Sequence, residues 1–457
     1  MFPLGDVVRV VQGRLLRPST DHVALVPTGV AHDSRTLQPG ALFVALPGTR
    51  TDGHLHLDQA FARGACGAIV ARTDRLPPDA RNLVLVAEPL AALHRLAVAW
   101  RDTLTATFVA VTGSCGKTTT KDLTAHLLRG SRPTYAAPAN FNTEIGVPLA
   151  ILGMPRHAKV GLFELGASRP GDIAPLARLV RPDIVVLTRI GRSHLATFGG
   201  LAAVEEEKWN AVTAGPPPRL LVLGADDPRL RRRARRWRGP LVTYGLDHGT
   251  VRGQLLAPPP PLRLSIRRPA VEIECPLAGR HQATSVLAAV AVASHLELPL
   301  STVSARLRSY VAPPHRLRPL RAPFGWVLDD SYNAAPESYR AALGALAEYN
   351  APAACRALVF GDMLELGERS SRWHLAVLSL AVKLGVAPIF PVGDRALRAA
   401  GSLPEARDRI VLAAPGEALE RVVRQRLTAA APAIVLVKGS RALGLDRLAA
   451  RLAGPPP

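Results

Sequence analysis

The chain has 457 residues, a formal charge of +21 and a hydrophobic fraction of 48%. Its length is enough for about three domains, and no apolar run approaches the roughly 20 residues of a membrane-spanning helix. The start of the chain, MFPLGDVVRVVQGRLL, lacks the basic, apolar and small-residue order of a signal peptide, so we expect a cytoplasmic protein. The four cysteines are scattered and form no CxxC pair, which argues against a zinc site and against a disulfide framework.

The positive charge comes mostly from arginine, because only six of the 57 basic residues are lysine. Nucleic-acid binding, phosphate-bearing substrates and an arginine-rich composition could each explain the charge, and the lysine count favours the last. We interpret the densest run, RRRARRWR at residues 231–238, as a solvated helix face, although such runs also bind nucleic acid. Arginine does not replace lysine where a compact amine is needed. The mild functional candidates are therefore Lys117, Lys121, Lys159, Lys208, Lys383 and Lys438.

Residues 1–104 combine short strand-like runs with turns and end in a helical stretch. The runs are ALFVAL, GAIVA and NLVLVA, and the helix is EPLAALHRLAVAWRDTL. From residue 105, strand, loop and helix alternate through TFVAVT, VGLFEL, DIVVLT and RLLVLG. This alternation predicts a mostly parallel sheet covered by helices. Residues 250–275 read as short antiparallel strands with a proline-rich interruption, followed by a helix, HQATSVLAAVAVASHL.

A breaker at Val311-Ala312-Pro313-Pro314 indicates a domain boundary, and the alternation restarts after it. Strands are expected in WVLDD, ALVFGD, PIFPVG, RIVLAA and AIVLVKG, with helices from Pro336, near Trp373 and at the end of the chain. The sequence therefore predicts an α/β protein with domains at residues 1–104, 105–312 and 313–457.

The stretch VTGSCGKTT at residues 111–119 follows a strand and precedes a helix, the context of a phosphate-binding loop. The usual pattern has a glycine where this chain has Val111, so the loop is a variant. Backbone N–H groups and the helix dipole would hold phosphate oxygens, Lys117 would reach the β- and γ-phosphates, and Thr118 would offer a hydroxyl to Mg²⁺. An ordinary glycine-rich turn is the alternative. The candidate ATP-binding residues here are Gly113, Ser114, Cys115, Gly116, Lys117, Thr118 and Thr119.

This loop resembles the ATP loop of the Mur ligase superfamily, whose members activate a carboxylate as an acyl phosphate and couple it to an amine. Other stretches match that family in order: DSR followed by PGALFVALPGTRTDGH, ANFNTEIGVP, IGRSHL, DDSYNAAPES, GDMLELGE followed by His374, and VKGSR. The first and last domains resemble the MurF type. The resemblance implies a small N-terminal α/β UDP-binding domain, a central P-loop ATPase-like domain with a parallel sheet, and a C-terminal Rossmann-like α/β domain.

The resemblance also implies site residues. It places Ser34 and Arg35 near uridine, Asp330 at the ATP ribose, and Lys438 and Arg441 near phosphate or the peptide carboxylates. Without the family, Asp33-Ser34-Arg35 predicts a turn, and ANFNTEIGVP predicts only an ordinary polar loop. The substrate-binding residues implied in this way are Ser34, Arg35, Asn140, Asn142, Thr143, Ser168, Tyr332, Asn333, Lys438 and Arg441.

A metal site is implied as well. Glu164 ends a strand, where an acid is well placed for Mg²⁺, although it could be merely solvated. By resemblance His194 lies in the metal site, and Lys208 carries a carbamate that orients one of two Mg²⁺ ions. Alone, His194 could be structural, and Lys208 could form an exposed helical pair with Glu205. The implied catalytic residues are Lys117, Glu164, His194 and Lys208, and the implied metal ligands are Thr118, Glu164, His194 and carbamylated Lys208.

Three stretches depart from the family. Its Gly-x-His-Asn-x-x-Asn is here GRHQATS at residues 279–285, its linker Gly-Arg is His315-Arg316, and its Asn-x-Asp-Asp is GADD at residues 224–227. Gln282 still offers an amide to adenine, but Ser285 does not. The departures therefore concern adenine binding.

The resemblance implies an ATP-dependent ligase that joins D-alanyl-D-alanine to UDP-N-acetylmuramoyl-tripeptide during peptidoglycan synthesis. It would use ATP, Mg²⁺ and a carbamylated lysine, and we expect a monomer that binds no nucleic acid and has no membrane span. One alternative is a Mur-like ligase with a different acceptor or amine. Another is a P-loop ATPase stimulated by nucleic acid, which the charge suggests. A catalytically idle homologue is disfavoured by the intact lysines and acids.

Overall fold

The computed structural model describes residues 1–48, 51–138, 140–191, 195–257, 261–267, 270–348, 356–364 and 366–454. The helices are α1 Leu4–Val11, α2 Leu57–Ala62, α3 Pro89–Asp102, α4 Lys117–Leu128, α5 Gly146–Leu152, α6 Ile173–Val180, α7 Leu195–Phe198, α8 Leu201–Thr213, α9 Pro228–Ala234, α10 His281–His295, α11 Leu300–Arg308, α12 Pro336–Glu348, α13 Ser370–Lys383, α14 Asp394–Gly401, α15 Glu417–Ala429 and α16 Leu445–Ala453.

The strands are β1 Arg14–Leu16, β2 Val30–Ala31, β3 Leu42–Val44, β4 Gly67–Val70, β5 Leu83–Leu85, β6 Thr107–Thr112, β7 Thr134–Ala136, β8 Val160–Glu164, β9 Ile184–Leu187, β10 Leu220–Gly224, β11 Leu241–Gly245, β12 Val251–Ala257, β13 Leu262–Arg267, β14 Ala270–Cys275, β15 Arg318–Ala322, β16 Gly325–Asp330, β17 Arg356–Gly361, β18 Ile389–Val392 and β19 Ala433–Lys438. They form three sheets in three consecutive parts of the chain.

The chain forms two compact units, each assembled from several segments. Residues 1–112, 128–186 and 206–221 form the first unit, and residues 113–127, 187–205 and 222–457 form the second. The N-terminal sheet lies within the first unit and the C-terminal sheet within the second.

The N-terminal sheet has the order β1-β5-β4-β3-β2. Only β1 runs antiparallel to its neighbour, and the other pairs are parallel. All three residues of β3 are buried, as expected for a parallel strand that is covered on both faces. The predicted strands ALFVAL, GAIVA and NLVLVA are confirmed as β3, β4 and β5, and the predicted helix before residue 104 is confirmed as α3.

The central sheet has nine strands in the order β14-β13-β12-β11-β10-β9-β6-β8-β7. The predicted antiparallel strands of residues 250–275 are confirmed as β12, β13 and β14. In β13 the residues Leu262, Leu264 and Ile266 are buried while Arg263 and Arg267 are exposed, the alternation of a strand with one covered face. Helix α10 is buried along most of its length, which its apolar sequence predicts.

The C-terminal sheet has the order β15-β16-β19-β17-β18 and is parallel except for the β15–β16 pair. Its buried strands supply two cores because alternate side chains point to opposite faces. Leu328, Leu358 and Leu436 lie in one core. Their chain neighbours on the same strands line the other: Val327, Val359 and Val435.

One predicted strand is wrong. Residues 409–414, RIVLAA, form only a single bridge between Ile410 and Ile389. Val411 N–H donates to Ile389 O at 2.9 Å. Along β18, backbone N–H groups alternate between the two sides of the strand, so the next residue after Ile389 that could donate to this segment is Pro391. Proline has no N–H, so the ladder does not continue. The chain then leaves the sheet, and Leu412 is 68% exposed.

The three parallel-rich sheets confirm the predicted α/β class and three-part architecture. The boundaries after residues 104 and 312 stay a prediction. Within the described ranges, no helix is both long enough and apolar enough to cross a membrane.

Candidate active site

The phosphate-loop candidate has the predicted strand, loop and helix, since β6 ends at Thr112 and α4 begins at Lys117. Gly113 and Gly116 have φ angles of +143° and +81°, which favour glycine. A Cβ atom on Gly113 would also overlap Oγ1 of Thr188. The backbone therefore needs glycine at both positions.

Val111 explains why the first glycine of the usual pattern is absent. It belongs to β6, is fully buried and lies opposite Glu164 of β8. Any residue adopts the extended backbone of a strand, so glycine offers no advantage at this position. The turn begins only at Gly113.

Hydrogen bonds attach this loop to the segment at residues 188–191. Ser114 N–H donates to Arg189 O at 2.7 Å, and Ser114 Oγ accepts from Gly191 N–H at 2.8 Å. Thr188 Oγ1 donates to Cys115 O at 2.7 Å. These bonds hold the loop in one conformation, so Ser114 has a structural role beside its candidate role in ATP binding.

Lys117 lies at the start of α4, and its Nζ donates to Gly113 O at 2.9 Å. Its ammonium therefore lies against the glycine that opens the loop. Thr118 and Thr119 follow in the first helical turn and are 4% and 8% exposed. A helix N-terminus beside an ammonium group attracts anions, phosphate oxygens among them.

Two predicted residues, Glu164 and Asn142, are in contact. Glu164 ends β8 and is only 3% exposed, and Asn142 Nδ2 donates to its Oε1 at 2.9 Å. Because Glu164 is buried, the alternative of a merely solvated carboxylate is wrong. Gly166 fits closely beside Asn142, since a Cβ atom there would lie 3.0 Å from the Asn142 side chain.

Some of the other polar side chains of this region form local hydrogen bonds. Thr143 Oγ1 accepts from Gly146 N–H at 3.2 Å, at the start of α5, and Asn140 is exposed. Ser168 donates through both its N–H and its hydroxyl to Asp172 Oδ2, at 2.8 Å and 3.2 Å. Burial acts against ionisation of Asp172, but hydrogen bonds from Ser168 and Arg169 hold the pKa of its carboxyl below the usual value.

Lys208 lies on α8 and is 3% exposed, so the alternative of an exposed helical charge pair is wrong. Glu205 forms an ion pair with Arg233 at 2.8 Å. Sequence reasoning missed Glu207, which is 4% exposed and accepts from Gly171 N–H at 2.8 Å and Ile173 N–H at 2.6 Å. The run of three glutamates before Lys208 was its only signal in the sequence.

In the N-terminal domain, Ser34 is 4% exposed and its Oγ donates to Gln59 Oε1 at 2.6 Å. Arg35 is exposed and donates to both carboxylate oxygens of Asp33, at 2.9 Å and 2.7 Å. These hydrogen bonds and the positive charge lower the pKa of Asp33 to about 2. Asp33 Oδ1 also accepts from Arg35 N–H, so the turn expected from the sequence is present.

Asp330 and Lys438 lie opposite each other on the parallel strands β16 and β19. Lys438 Nζ lies 2.6 Å from Asp330 Oδ2 and donates to Asn333 O at 2.9 Å, and the lysine is 1% exposed. Leu317 N–H donates to the other carboxylate oxygen at 3.0 Å. Burial raises the pKa of the Asp330 carboxyl, and the neighbouring ammonium opposes that shift.

The other predicted residues of this domain lie nearer the surface. Tyr332 is half-buried, and the guanidinium of Arg316 lies 4.2 Å from the centre of its ring. Asn333 and Arg441 are exposed, and Arg441 forms an ion pair with Asp446 at 3.2 Å. Exposed polar groups of this kind are accessible to a ligand.

Two of the departures from the family pattern have a local explanation. Ser285 and Gln282 are 5% and 7% exposed, and Ser285 Oγ would lie 3.1 Å from a Cβ atom on Gly116. Ser285 therefore packs against the phosphate loop, close to Gly116. His315 has a φ of +63°, a left-handed conformation that suits glycine, and its ring Nδ1 lies 2.8 Å from Asp329 Oδ2.

The stretch GDML after β17 is held by side chains that sequence spacing alone did not connect. His374 is fully buried, its Nε2 accepts from Met363 N–H at 2.9 Å, and its Nδ1 donates to Ser370 O at 2.8 Å. Ser440 N–H donates to Asp362 O at 2.9 Å, and Ser440 Oγ accepts from Leu364 N–H at 2.9 Å. The GDML and KGSR stretches are thereby joined.

The arginine run has a mixed role. Arg231 donates to Ala225 O at 2.6 Å, and Arg233 binds Glu205. Helix α9 ends at Ala234, so the prediction of a helix face is wrong for the second half of the run. The prediction of solvent exposure is confirmed for the remaining arginines of the run: Arg232, Arg235, Arg236 and Arg238. The predicted metal ligand His194 lies outside the described residues.

Family models match three consecutive parts of the chain. They are the Mur ligase family catalytic domain at residues 27–101, the Mur ligase middle domain at residues 111–293 and the Mur ligase glutamate ligase domain at residues 315–441. The UDP-N-acetylmuramoyl-tripeptide–D-alanyl-D-alanine ligase of Mycobacterium tuberculosis is 35% identical to the chain, over 98% of the chain and 96% of the relative.

Solved structures agree with these matches. MurF from Acinetobacter baumannii has a TM-score of 0.83 and 27% identity, over 99% of each chain. MurF from Thermotoga maritima in complex with ADP has a TM-score of 0.77 and 28% identity, over 92% of this chain and 96% of that one. Together with the phosphate loop and the three sheets, these similarities show that the chain belongs to the Mur ligase family, as a member of its MurF type.

Proposed function

We propose that this protein is an ATP-dependent ligase that joins D-alanyl-D-alanine to UDP-N-acetylmuramoyl-tripeptide in peptidoglycan synthesis. The observation that carries the proposal is the phosphate loop, with two glycines at positive φ and Lys117 at the helix start. Relatives named for this reaction match along almost the whole chain, which supports this choice of substrates.

Lys117 is the proposed phosphate ligand. Its ammonium exchanges the carbonyl of Gly113 for the β- and γ-phosphate oxygens of ATP, and the N–H groups at the start of α4 donate to the same phosphates. The terminal carboxylate of the tripeptide attacks the γ-phosphorus, ADP leaves, and an acyl phosphate forms. The amine of D-alanyl-D-alanine then attacks the acyl carbon, phosphate leaves, and the new amide nitrogen loses a proton.

Bound Mg²⁺ would supply charge neutralisation on the phosphates of ATP. Thr118 offers a hydroxyl oxygen and Glu164 a carboxylate, both of which are hard ligands that suit this ion. The burial of Glu164, at 3% exposure, fits such a role, because a buried carboxylate needs a cation or hydrogen bonds. Asn142 orients one of its oxygens. The proposed ligand set also includes His194 and a carbamylated Lys208.

The remaining roles are proposals of the same kind. Ser34 and Arg35 would bind the uridine part of the acceptor, and Gln282 and Asp330 would bind the adenosine part of ATP. The residues proposed to bind the rest of the acceptor and the dipeptide are Asn140, Asn142, Thr143, Ser168, Tyr332, Asn333 and Arg441. Their exposed or half-buried side chains support these roles.

The test is phosphate release with ATP, Mg²⁺, UDP-N-acetylmuramoyl-tripeptide and D-alanyl-D-alanine, with each omitted in turn. We expect release to require both the acceptor and the dipeptide. Release that needs the acceptor but not this dipeptide would indicate a ligase for another amine. Release indifferent to both would overturn the proposed function.

The carbamate on Lys208 has its own test. Protein incubated with ¹³C-bicarbonate should give a carbamate carbon signal in the ¹³C NMR spectrum, and the Lys208→Met variant should lack it. The Lys383→Met variant, which changes an exposed lysine, is the matched control and should keep the signal. A spectrum without a carbamate signal would contradict this part of the proposal.

A further inference from the structure

Lys438 has an unusual environment for a lysine. It is 1% exposed, and its Nζ contacts Asp330 Oδ2 at 2.6 Å and Asn333 O at 2.9 Å. The ring of Tyr339 lies below the ammonium, with its centre 5.4 Å from Nζ. The ammonium is therefore surrounded by partners of this domain.

The backbone around Lys438 is fixed as well. Tyr339 OH lies 2.6 Å from Lys438 O and 2.8 Å from Gly361 O, which joins the ends of β19 and β17. Asp330 is the residue opposite Lys438 in the parallel pairing, and it is the last residue of β16. The network thus lies at the carboxyl end of the sheet, where ligands of open α/β sheets bind.

Energetics argue against a mobile ammonium. Removing a buried charge from its partner leaves an uncompensated charge, which is strongly unfavourable. If Lys438 turned to a phosphate or a peptide carboxylate, the largely buried Asp330 carboxylate would lose its ammonium partner and keep the hydrogen bond from Leu317 N–H. It would also release Asn333 O, which anchors the chain directly after β16.

We propose that Lys438 is a positioning residue. It holds the Asp330 carboxylate in the conformation that binds the ribose of ATP and anchors the following residues 331–335, and it does not itself contact phosphate or the peptide. This inference rests on the proposed function, and it replaces the expectation from sequence that Lys438 lies near those anions. Asp330, Tyr332 and Asn333 remain the groups that would touch ligands.

The first test is amine labelling of the wild-type protein with a small acylating reagent, read by peptide mass spectrometry. The chain has only six lysines, so each can be followed separately. The exposed Lys159 and Lys383 should react readily, while Lys438 should resist the reagent with and without ATP. Rapid labelling of Lys438 in the free protein, with protection by ATP or D-alanyl-D-alanine, would overturn the proposal.

The second test is a double-mutant cycle on ATP affinity, measured by calorimetry. Lys438→Met and Asp330→Asn should each weaken ATP binding about tenfold or more, the usual effect of losing a hydrogen bond to a charged group. The double variant should lose little more than the weaker-binding single variant, because both residues act through one carboxylate. Losses that multiply would show independent ligand contacts and contradict the inference. Lys383→Met is the control and should bind ATP as the wild type does.

A folding failure of Lys438→Met leaves the first test intact, because it uses the wild-type chain. Failure of the proposed function is also distinguishable. If the wild-type protein binds no ATP, the proposed function is contradicted. If the protein binds ATP but Lys438 reacts rapidly, only this inference is contradicted.

Discussion

Single residues of the phosphate loop serve both the backbone and the proposed ligand. Gly113 provides a conformation that other residues rarely adopt, and its carbonyl oxygen accepts from the Lys117 ammonium. Ser114 fastens the loop through two backbone groups. The free protein therefore already holds the loop in a defined conformation, which lowers the cost of ordering it around ATP.

Replacing Lys117 with methionine tests the central residue. The variant keeps the side-chain length and removes the charge that would stabilise the phosphates. We expect kcat for phosphate release to fall by about a thousandfold, as when a preorganised donor is lost. The thermal unfolding temperature should stay near that of the wild type. Lys159→Met is the control for lysine loss at an exposed position, and equal activity in both variants would contradict the role of Lys117.

His374 predicts a pH dependence of stability. Burial lowers the pKa of its imidazole below the ordinary 6.5, and the neutral ring is the form that both accepts from Met363 N–H and donates to Ser370 O. The unfolded chain therefore binds the proton more readily, so this contribution to stability is present above pH 6.5 and is lost as the pH falls through the lower pKa of the folded state.

Urea unfolding at pH values from 7.5 down to 5 measures this effect. The free energy of unfolding should fall more in the wild type than in His374→Gln, whose amide does not titrate. Equal slopes for the two proteins would show that His374 does not contribute to the pH dependence.

At the level of elements, helix and strand ends carry the candidate residues. Glu164 ends β8, Asp330 ends β16 and Lys117 begins α4. Strand ends place side chains at one edge of a parallel sheet, and helix starts present free N–H groups there. The alternation of strands and helices in the sequence therefore indicates which element ends to search, whereas the role of Asp330 came from the resemblance to the family.

Glycines at two kinds of position should respond oppositely to alanine. Gly113→Ala forces a side chain into a left-handed backbone and against Thr188, so we expect a loss of about 1–3 kcal/mol in the free energy of unfolding. Gly344 lies within α12 with open space around its Cβ position. Gly344→Ala should stabilise the protein by about 0.5–1 kcal/mol. Thermal and urea unfolding would measure the change in stability of each variant relative to the wild type. A change of the same sign in both variants would contradict the prediction.

For the whole molecule, the charge of +21 needs an interpretation. Part of it is used inside the structure, for example where Arg233 binds Glu205 and Arg101 donates to Val180 O at 3.1 Å. The exposed arginines of the run at residues 231–238 accompany no nucleic-acid-binding motif in the sequence. We attribute the charge to arginine-rich composition.

This interpretation predicts that nucleic acid does not activate the enzyme. Single-stranded DNA, duplex DNA and RNA should leave phosphate release unchanged at physiological salt, whereas the acceptor and the dipeptide together should stimulate it. Stimulation by nucleic acid that declines steeply with salt would instead support the P-loop ATPase alternative.

Sequence patterns predicted the elements well where the pattern reflects local rules. Apolar runs bounded by turns became β3, β4 and β5, and the glycine spacing around Lys117 located the loop. The prediction failed at RIVLAA, because a strand needs a partner with free N–H groups and Pro391 lacks one. Whether a partner exists depends on the sheet order, which no single run contains.

The sequence by itself determined the family, the α/β class and the identity of the candidate residues, because these depend on residue chemistry and on spacing along the chain. Only the tertiary structure decided what each side chain contacts. Lys438 reads as an anion ligand in the motif VKGSR, yet strand pairing places Asp330 opposite it. Glu207 reads as one of three equal acids, yet it alone accepts from Gly171 and Ile173. Burial and hydrogen bonding are properties of residues that are distant in sequence, so they appear only when the chain is folded.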